Sequence, residues 1–220
     1  MAIKILNTNA PKAGSSEEDD PIVGEFKNGR QVNGKPESLN YWIIRTDDPD
    51  IADALAVHYG VEVEETDYDR KPYQVSLAED VTIELRVDFL RTAMILKSQA
   101  TWKAIRTCNG EEMTDGNPCA CAVAYGSNTD EFWAASADGI ACKPDGVLFA
   151  HIVGLEDLGK FVLSKNSRST VSQFDRLEET AVSLGLDTPY VTDLGIKLIE
   201  SKKTGRSWTV PTFNDPREEA

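Results

Sequence analysis

Four cysteines provide the clearest chemistry in this sequence of 220 residues. They are Cys108, Cys119, Cys121 and Cys142, with ten, one and twenty residues between successive members. Turn-forming stretches rich in Asn, Gly and Pro surround them, which is typical of loops rather than of an apolar core. A tetrahedral zinc ion bound by thiolates holds such loops together, and metal binding then contributes to the free energy of folding.

The clustering of these cysteines favours a structural zinc site. A tetrahedron filled by four protein ligands leaves no open position for water, so the zinc would be structural rather than catalytic. Disulfide bonds are disfavoured in a reducing compartment. The alternative is four independent free thiols, because a C-x-C pair is less diagnostic of zinc than a C-x2-C pair. We therefore predict one structural zinc ion with all four cysteines as its ligands.

Catalytic residues are hard to find elsewhere in the sequence. The two histidines are His58, in a helical pattern, and His151, in an apolar run, and both are predicted to be structural. The sequence has no G-x-S-x-G, P-loop, H-E-x-x-H, or G-x-G-x-x-G motif before a helix. The acidic stretches 16–20 and 62–69 are typical of solvated surface. We therefore predict that the protein is not an enzyme.

The charge balance limits what the protein binds. Its 37 acidic and 23 basic residues give a net charge of −14, and its densest basic stretch, 202–206, fits a hairpin turn. Proteins that bind nucleic acid on their own normally carry a basic face. Autonomous DNA binding is therefore not expected, whereas a protein partner with a basic surface is. Trp133, beside Phe132, is a candidate anchor for such a partner.

Signals for membrane insertion or export are missing from the sequence. No stretch approaches the roughly 20 apolar residues of a membrane span. The first residues do not form an apolar signal segment. We expect no membrane contact and a cytoplasmic location.

Strand and helix patterns alternate along most of the chain. The segment 41–46 is predicted to be a strand, and the helix after it begins at Asp48-Pro49 and ends at Gly60. A capping box at Thr170-Val171-Ser172-Gln173 predicts a second helix that ends at Gly185. Further strands are predicted over 73–77, 81–87, 93–97, 102–107, 147–153, 160–163, 190–199 and 207–213. So few helices do not suit a doubly wound sheet, and we predict an α+β fold with a mostly antiparallel sheet and two main helices.

Composition divides the chain into three parts. Residues 1–20 are expected to be a flexible N-terminal segment. It begins with a short strand at 2–6, and 7–20 hold no large apolar side chain. Residues 21–213 are expected to form a compact α+β body, in which 106–146 are the loop region bound to the zinc ion through the four cysteines. Residues 214–220 are expected to be a flexible tail.

Several short motifs occur in an order that suggests a family. They are Ile3-Lys4-Ile5-Leu6-Asn7-Thr8, Ile22-Val23-Gly24-Glu25-Phe26-x-x-Gly29, Pro36-x-x-Leu39-x-x-Trp42, Thr46-x-Asp48-Pro49-Asp50-x-Ala52, Ile105-Arg106-x-Cys108-Asn109-Gly110, Cys119-x-Cys121 and Cys142-x-Pro144. Together they resemble the recombination directionality factors of actinophages, the accessory proteins that partner large serine integrases.

This resemblance implies a function without catalysis by the chain itself. A recombination directionality factor binds the integrase on DNA, promotes attL × attR prophage excision and inhibits attP × attB integration. The integrase would supply the nucleophilic serine and the DNA contacts, so this chain would meet DNA only indirectly, in the cytoplasm of the bacterial host. Two alternatives remain: a zinc-containing phage accessory protein that binds single-stranded nucleic acid, and a divergent phosphoesterase. The net charge of −14 argues against the first.

Overall fold

The computed structural model describes residues 20–32, 35–67, 70–101, 103–126, 128–200, 205 and 207–219. The strands are β1 (Ile22–Val32), β2 (Lys35–Thr46), β3 (Val63–Glu65), β4 (Tyr73–Ser76), β5 (Ile83–Lys97), β6 (Ala104–Cys108), β7 (Lys143–Ile152), β8 (Lys160–Lys165), β9 (Tyr190–Glu200) and β10 (Ser207–Phe213). The α-helices are α1 (Pro49–Tyr59), α2 (Ala120–Tyr125), α3 (Thr129–Ala137) and α4 (Arg168–Ser183), and a 3₁₀ turn spans Glu156–Leu158. The strand predicted at 2–6 lies outside the described residues.

The chain forms two compact units. The cysteine unit, as we call it, holds Leu90–Val147 and Ser164–Glu179. Among the described residues, the sheet unit holds 20–89, Leu148–Leu163 and 180–219. Each boundary falls inside a strand or a helix rather than in a linker, so the composition of the sequence carries no sign of the division.

The sheet is dominated by antiparallel pairs. Its strand order is β10-β9-β5-β7-β8-β1-β2-β4-β3, and β6 pairs with β5 outside this path. The pairs β1–β2, β2–β4, β3–β4, β5–β6, β5–β9 and β9–β10 are antiparallel, whereas β1 and β8 are parallel. The predicted α+β class with a mostly antiparallel sheet is confirmed.

Buried apolar residues alternate with more exposed residues along the strands of the sheet unit. In β5, Ile83, Leu85 and Val87 are buried, whereas Glu84 between them is exposed, as a period-two pattern predicts. The largest buried side chains of this unit include Phe26, Trp42, Ile43, Ile44, Leu55 and Phe161. Burial of this apolar surface is the main source of stability for such a sheet.

A close approach in the sheet unit requires glycine at position 24. A Cβ atom placed there would lie 2.5 Å from the ring of Phe161. Gly24 is paired with Thr46 in the β1–β2 ladder, and the Thr46 hydroxyl donates a hydrogen bond of 2.7 Å to the Val23 carbonyl. The glycine therefore lets an aromatic side chain pack directly on the backbone of β1.

Local capping chemistry sets both ends of α1. The Asp48 carboxylate accepts a hydrogen bond of 2.9 Å from the Asp50 N–H, and Pro49 occupies the first helical position. Gly60 ends the helix in the left-handed conformation, with φ of 66°. The predicted boundaries of this helix are confirmed.

The start predicted for the second main helix is wrong by a few residues. α4 begins at Arg168 rather than behind Thr170, because Ser167 supplies the cap: its hydroxyl oxygen accepts a hydrogen bond of 3.3 Å from the Thr170 N–H. Thr170 is itself buried within the first turn. One face of the helix is apolar, since Val171 and Phe174 are buried.

Two short helices lie in the window where the sequence suggests only loops. They are α2 and α3, and the Asn128 amide oxygen caps α3 by accepting a hydrogen bond of 3.3 Å from the Glu131 N–H. Both helices are rich in alanine, the strongest helix former. This propensity outweighs the turn-forming residues on either side.

The remaining predictions concern the ends of the chain and its surroundings. None of the helices in the described part of the chain is long and apolar enough to span a membrane. The basic stretch 202–206 lies almost wholly outside the described residues. In the predicted tail, Arg217 forms an isolated β-bridge with Val191 and pairs with the carboxylates of Glu84 and Asp193. The flexibility predicted for 1–20 and 214–220 stays a prediction.

Candidate metal centre

Three structural elements position the four cysteines. Cys108 ends β6, Cys119 is the N-cap residue of α2, Cys121 lies in the first turn of that helix, and Cys142 immediately precedes β7. All four are reduced and buried. The loop after β6 is held by Asn109, whose amide oxygen accepts hydrogen bonds of 2.8 Å from the backbone N–H groups of two following residues. These contacts turn the chain from Cys108 back towards Cys119.

Three of the sulfur atoms form a compact group. The Sγ atoms of Cys108, Cys119 and Cys142 all lie within 4.8 Å of one another. Cys121 lies outside this group, yet its Sγ is 3.6 Å from the Sγ of Cys142. Tetrahedral zinc with bonds of about 2.3 Å to sulfur separates its sulfur ligands by about 3.8 Å. The three-thiol group, which we call the thiol cluster, therefore has dimensions that suit a metal ion.

The protein around the thiol cluster is apolar. Met94, Phe132, Ala141 and Val171 are buried against the cysteines. Such a shell excludes water and strengthens the interaction between thiolates and a cation. The same shell makes uncompensated thiolate charges costly, so a cluster of this kind is stable only if the charge is neutralised or shared.

Hydrogen bonds to sulfur orient the cluster. The Cys142 N–H donates a hydrogen bond of 3.4 Å to the Cys121 Sγ. The Gly110 N–H donates to Cys108, and the Cys121 N–H donates to Cys119. Hydrogen bonds of this type are the outer-shell contacts that fix the ligands of a metal site.

The thiols perturb one another electrostatically. A hydrogen bond from the Cys142 thiol lowers the pKa of Cys108 to about 6, against the opposing effect of burial. The hydrogen bond with Cys108 and burial both raise the pKa of Cys142, and burial raises the pKa of Cys119. The cluster therefore favours one thiolate and resists further ionisation. A divalent cation among the sulfurs would remove that resistance.

Arg106 lies beside the candidate site, and the sequence patterns did not predict it there. Its guanidinium lies 3.7 Å from the Cys121 Sγ and so places a positive charge beside the cluster. Arg106 and Cys108 are two residues apart on β6, and side chains at that spacing share one face of a strand. This spacing is the signal by which the sequence could have identified it.

The histidines do not join the thiol cluster. His151 is 1% exposed and belongs to the sheet unit, where its Nδ1 lies 2.7 Å from Asp88 and its Nε2 lies 3.3 Å from Asp20. His58 lies on α1 with its ring edge-to-face against Tyr59, at 4.7 Å between centroids. Each ring thus contacts neighbouring side chains, and the structural role expected for both histidines stays a prediction.

Trp133 is partly exposed beside the buried Phe132, with 4.8 Å between their ring centroids. The guanidinium of Arg168 covers its ring at 4.7 Å, a cation–π contact. The tryptophan therefore already has an intramolecular partner on one side. Its role as an anchor for another protein stays a prediction.

Comparisons with protein-family models, with curated proteins and with solved structures found no match to the chain. The chemical interpretation of the site therefore rests on its own geometry: a buried cluster of three thiols, a fourth thiol in contact with it, and an arginine. This donor set is soft and rich in sulfur, which suits zinc better than magnesium or calcium. No histidine or carboxylate belongs to the metal-binding group identified among the described residues.

Proposed function

We propose that this protein is a recombination directionality factor that binds a large serine integrase and contains a structural zinc ion. The observation that carries the proposal is the ordered set of motifs along the chain that resemble this family, from Ile22-Val23-Gly24 to Cys142-x-Pro144. The buried thiols and the net charge of −14 support it, because they suit a folded accessory protein that leaves DNA contacts to its partner.

Several motif residues occupy structural positions. Gly24 makes room for Phe161, Asp48 caps α1 and Trp42 is 1% exposed. Residues in such positions specify a scaffold rather than a catalytic centre. They support the proposal that the likeness to the family is one of fold and that the chain acts by binding.

The proposed zinc would be held by the thiol cluster of Cys108, Cys119 and Cys142, with Cys121 as the fourth ligand. When bound, zinc would neutralise the thiolates and tie β6, α2 and the start of β7 together. All the sulfur atoms belong to buried residues, and four thiolates leave no position for a reacting water. The metal would therefore stabilise the unit and take no part in a reaction.

Binding alone can control the direction of recombination only if the protein binds one conformation of the integrase more tightly than the other. A ligand that binds both conformations equally does not shift the equilibrium between them. Moving a preference from about 1:99 to about 99:1 requires about 5.5 kcal/mol of differential binding free energy. A few well-packed anchors in an ordinary protein interface supply that amount. We propose that this interaction takes place in the cytoplasm of a bacterial host.

A titration of the protein against a fixed amount of the large serine integrase from the same genome tests the proposal. The protein should promote attL × attR recombination and inhibit attP × attB recombination, with saturation near one chain per integrase subunit. The protein alone should not shift attachment-site DNA at physiological salt. An integrase without its nucleophilic serine is the matched control and should give no product. An effect at trace doses, or no effect on either reaction, would contradict the proposal.

A further inference from the structure

The sulfur atoms of Cys121 and Cys142 are in direct contact. They lie 3.6 Å apart, and the Cys142 N–H donates a hydrogen bond of 3.4 Å to the Cys121 Sγ. The bond of a disulfide is about 2.05 Å long, so these two atoms need to approach each other by only about 1.5 Å to form one. The pair is therefore placed for a covalent reaction as well as for metal binding.

The backbone around this pair allows that approach. Cys142 lies outside helices and strands, in the segment between α3 and β7, and α2, which carries Cys121, is only six residues long. Cys108, by contrast, is held from two sides, because it pairs with Met94 in the β5–β6 ladder and forms an isolated β-bridge with Met113. Cys121 and Cys142 are thus free of the strand pairing that fixes Cys108.

Cys119 is a poor partner for Cys121. One residue separates them, so a disulfide between the two closes a very small ring and departs from the preferred geometry. Zinc binding removes the differences in acidity among the thiols, since every cysteine that binds the ion is a thiolate. Contact and freedom to move then decide which pair reacts, and both favour Cys121 with Cys142. In a metal-free chain, thiol–disulfide exchange leads to the same least-strained pair.

Arg106 adds a chemical reason for reaction at this place. Its guanidinium lies 3.7 Å from the Cys121 Sγ, and the residue is partly exposed. Its N–H groups can donate to an oxygen atom that gains negative charge beside the sulfur. A peroxide that reaches Cys121 therefore meets a donor for its leaving oxygen.

We propose that Cys121 and Cys142 form a reversible disulfide when the protein reacts with a peroxide. One sulfur attacks a peroxide oxygen, the O–O bond breaks, and the thiol proton leaves with the departing hydroxide as water, which gives a sulfenic acid. The second sulfur then attacks the first, the S–O bond breaks, and the second thiol proton leaves with the oxygen as water. Two thiols and one hydrogen peroxide thus give one disulfide and two waters, and the two electrons lost by sulfur reduce the peroxide.

The disulfide would also displace the proposed zinc ion. It consumes two of the four ligands and leaves only Cys108 and Cys119, so the metal leaves as a divalent cation, and two protons from solvent replace the thiol protons in the balance. Reduction by a small thiol restores both cysteines as ligands. This loss of metal rests on the proposed structural zinc, whereas the disulfide itself does not.

The test treats the full chain with an equimolar amount of hydrogen peroxide, after its zinc content has been measured. The remaining thiols are then blocked with N-ethylmaleimide in denaturant. Cleavage before aspartate residues separates Cys108, in 88–114, from Cys119 and Cys121, in 115–129, and from Cys142, in 138–144. Mass spectrometry should find 115–129 linked to 138–144, with the maleimide on Cys119 and Cys108. A chromogenic chelator should detect the zinc released with the disulfide.

The outcomes separate this inference from the metal proposal. The predicted link in a chain that held no zinc would refute the structural zinc and leave the disulfide in place. A link through Cys108, a maleimide on Cys121, or no disulfide at all would overturn the inference, whatever the zinc content. The parent unfolded in guanidinium chloride is the control, and there the selective link should be lost, because native contacts no longer choose the pair.

Two variants provide a matched comparison in the metal-free chain. Cys119→Ser and Cys121→Ser each remove one thiol from the same peptide and one proposed ligand of the metal. Cys119→Ser should still give the linked peptide, whereas Cys121→Ser should give about tenfold less of it, because its remaining thiol is not the one in contact with Cys142. Circular dichroism checks that both are folded. Equal yields from the two folded variants would contradict the pairing, and if neither folds, the position of the maleimide in the parent decides.

Discussion

The guanidinium of Arg106 lies 3.7 Å from the sulfur of Cys121, the one cysteine outside the thiol cluster. The Cys142 N–H reaches the same sulfur at 3.4 Å. Cys121 is thus held by a positive charge and an amide while its sulfur touches that of Cys142. Both contacts fix the position of the Cys121 sulfur next to the thiol cluster, as outer-shell contacts do at metal sites.

We predict that Arg106→Gln weakens zinc binding by about 10- to 100-fold, the usual effect of removing an outer-shell partner. Arg106→Lys, which keeps the charge, should lose less. Competition with a chelator of known affinity measures both variants. If Arg106→Gln bound zinc as tightly as the parent, the arginine would have no part in positioning Cys121.

Asp145 should contribute to stability through its two cationic partners. Replacement by Asn removes the charge that Arg91 and Lys97 share. Because both cations are partly exposed and regain water, we expect a loss of about 1–2 kcal/mol in the free energy of unfolding. The exposed pair of Arg30 and Glu37 provides the control: Glu37→Gln should lower stability by clearly less than Asp145→Asn does. Urea denaturation distinguishes the two, and equal losses would show that burial of Asp145 adds nothing.

Glu178 on α4 should make stability depend on pH. Burial, and then repulsion from Asp175, raise the pKa of Glu178 from 4.5 to about 7. The folded state therefore favours the neutral carboxyl. The stability that Glu178 contributes through this preference is fully present below pH 4.5 and is lost as the pH rises through 7.

The permanently neutral Glu178→Gln variant should consequently be more stable than the parent at pH 8, by on the order of 1–2 kcal/mol. The difference should vanish at pH 4, where the parent carboxyl is also neutral. Glu179→Gln, at an exposed neighbouring position, should show little difference at either pH. Chemical denaturation at the two pH values measures this. A difference that did not change with pH would mean that packing, rather than ionisation, is responsible.

Sequence patterns predict the parts of the fold that depend on local chemistry. The ends of α1 follow from Asp48 and Gly60, because a cap and a left-handed residue act within one turn. The alternation of Ile83, Leu85 and Val87 likewise predicts their common burial. The helices α2 and α3 were not predicted, because the segments around them are rich in turn-forming residues.

Three of the four predicted ligands lie in the thiol cluster, whereas the geometry of the candidate site was not predictable from the sequence. Clustering in sequence indicated that the four cysteines share one region, and the structure brings Cys108, Cys119 and Cys142 within 4.8 Å of one another. The offset of Cys121 and its contact with Arg106 depend on how α2 lies against β6. That placement is tertiary, and no local pattern of the sequence reports it.

Elemental analysis of the full chain, purified without added metal, tests the central claim most directly. We predict about one zinc ion per chain, since three or four buried thiols of this geometry form one site. The variants Cys119→Ser and Cys142→Ser should lose the metal. They should also lower the stability of the cysteine unit, because the free energy of metal binding contributes to the free energy of folding. A zinc content near zero in the folded parent, together with four thiols that titrate freely, would contradict the metal centre.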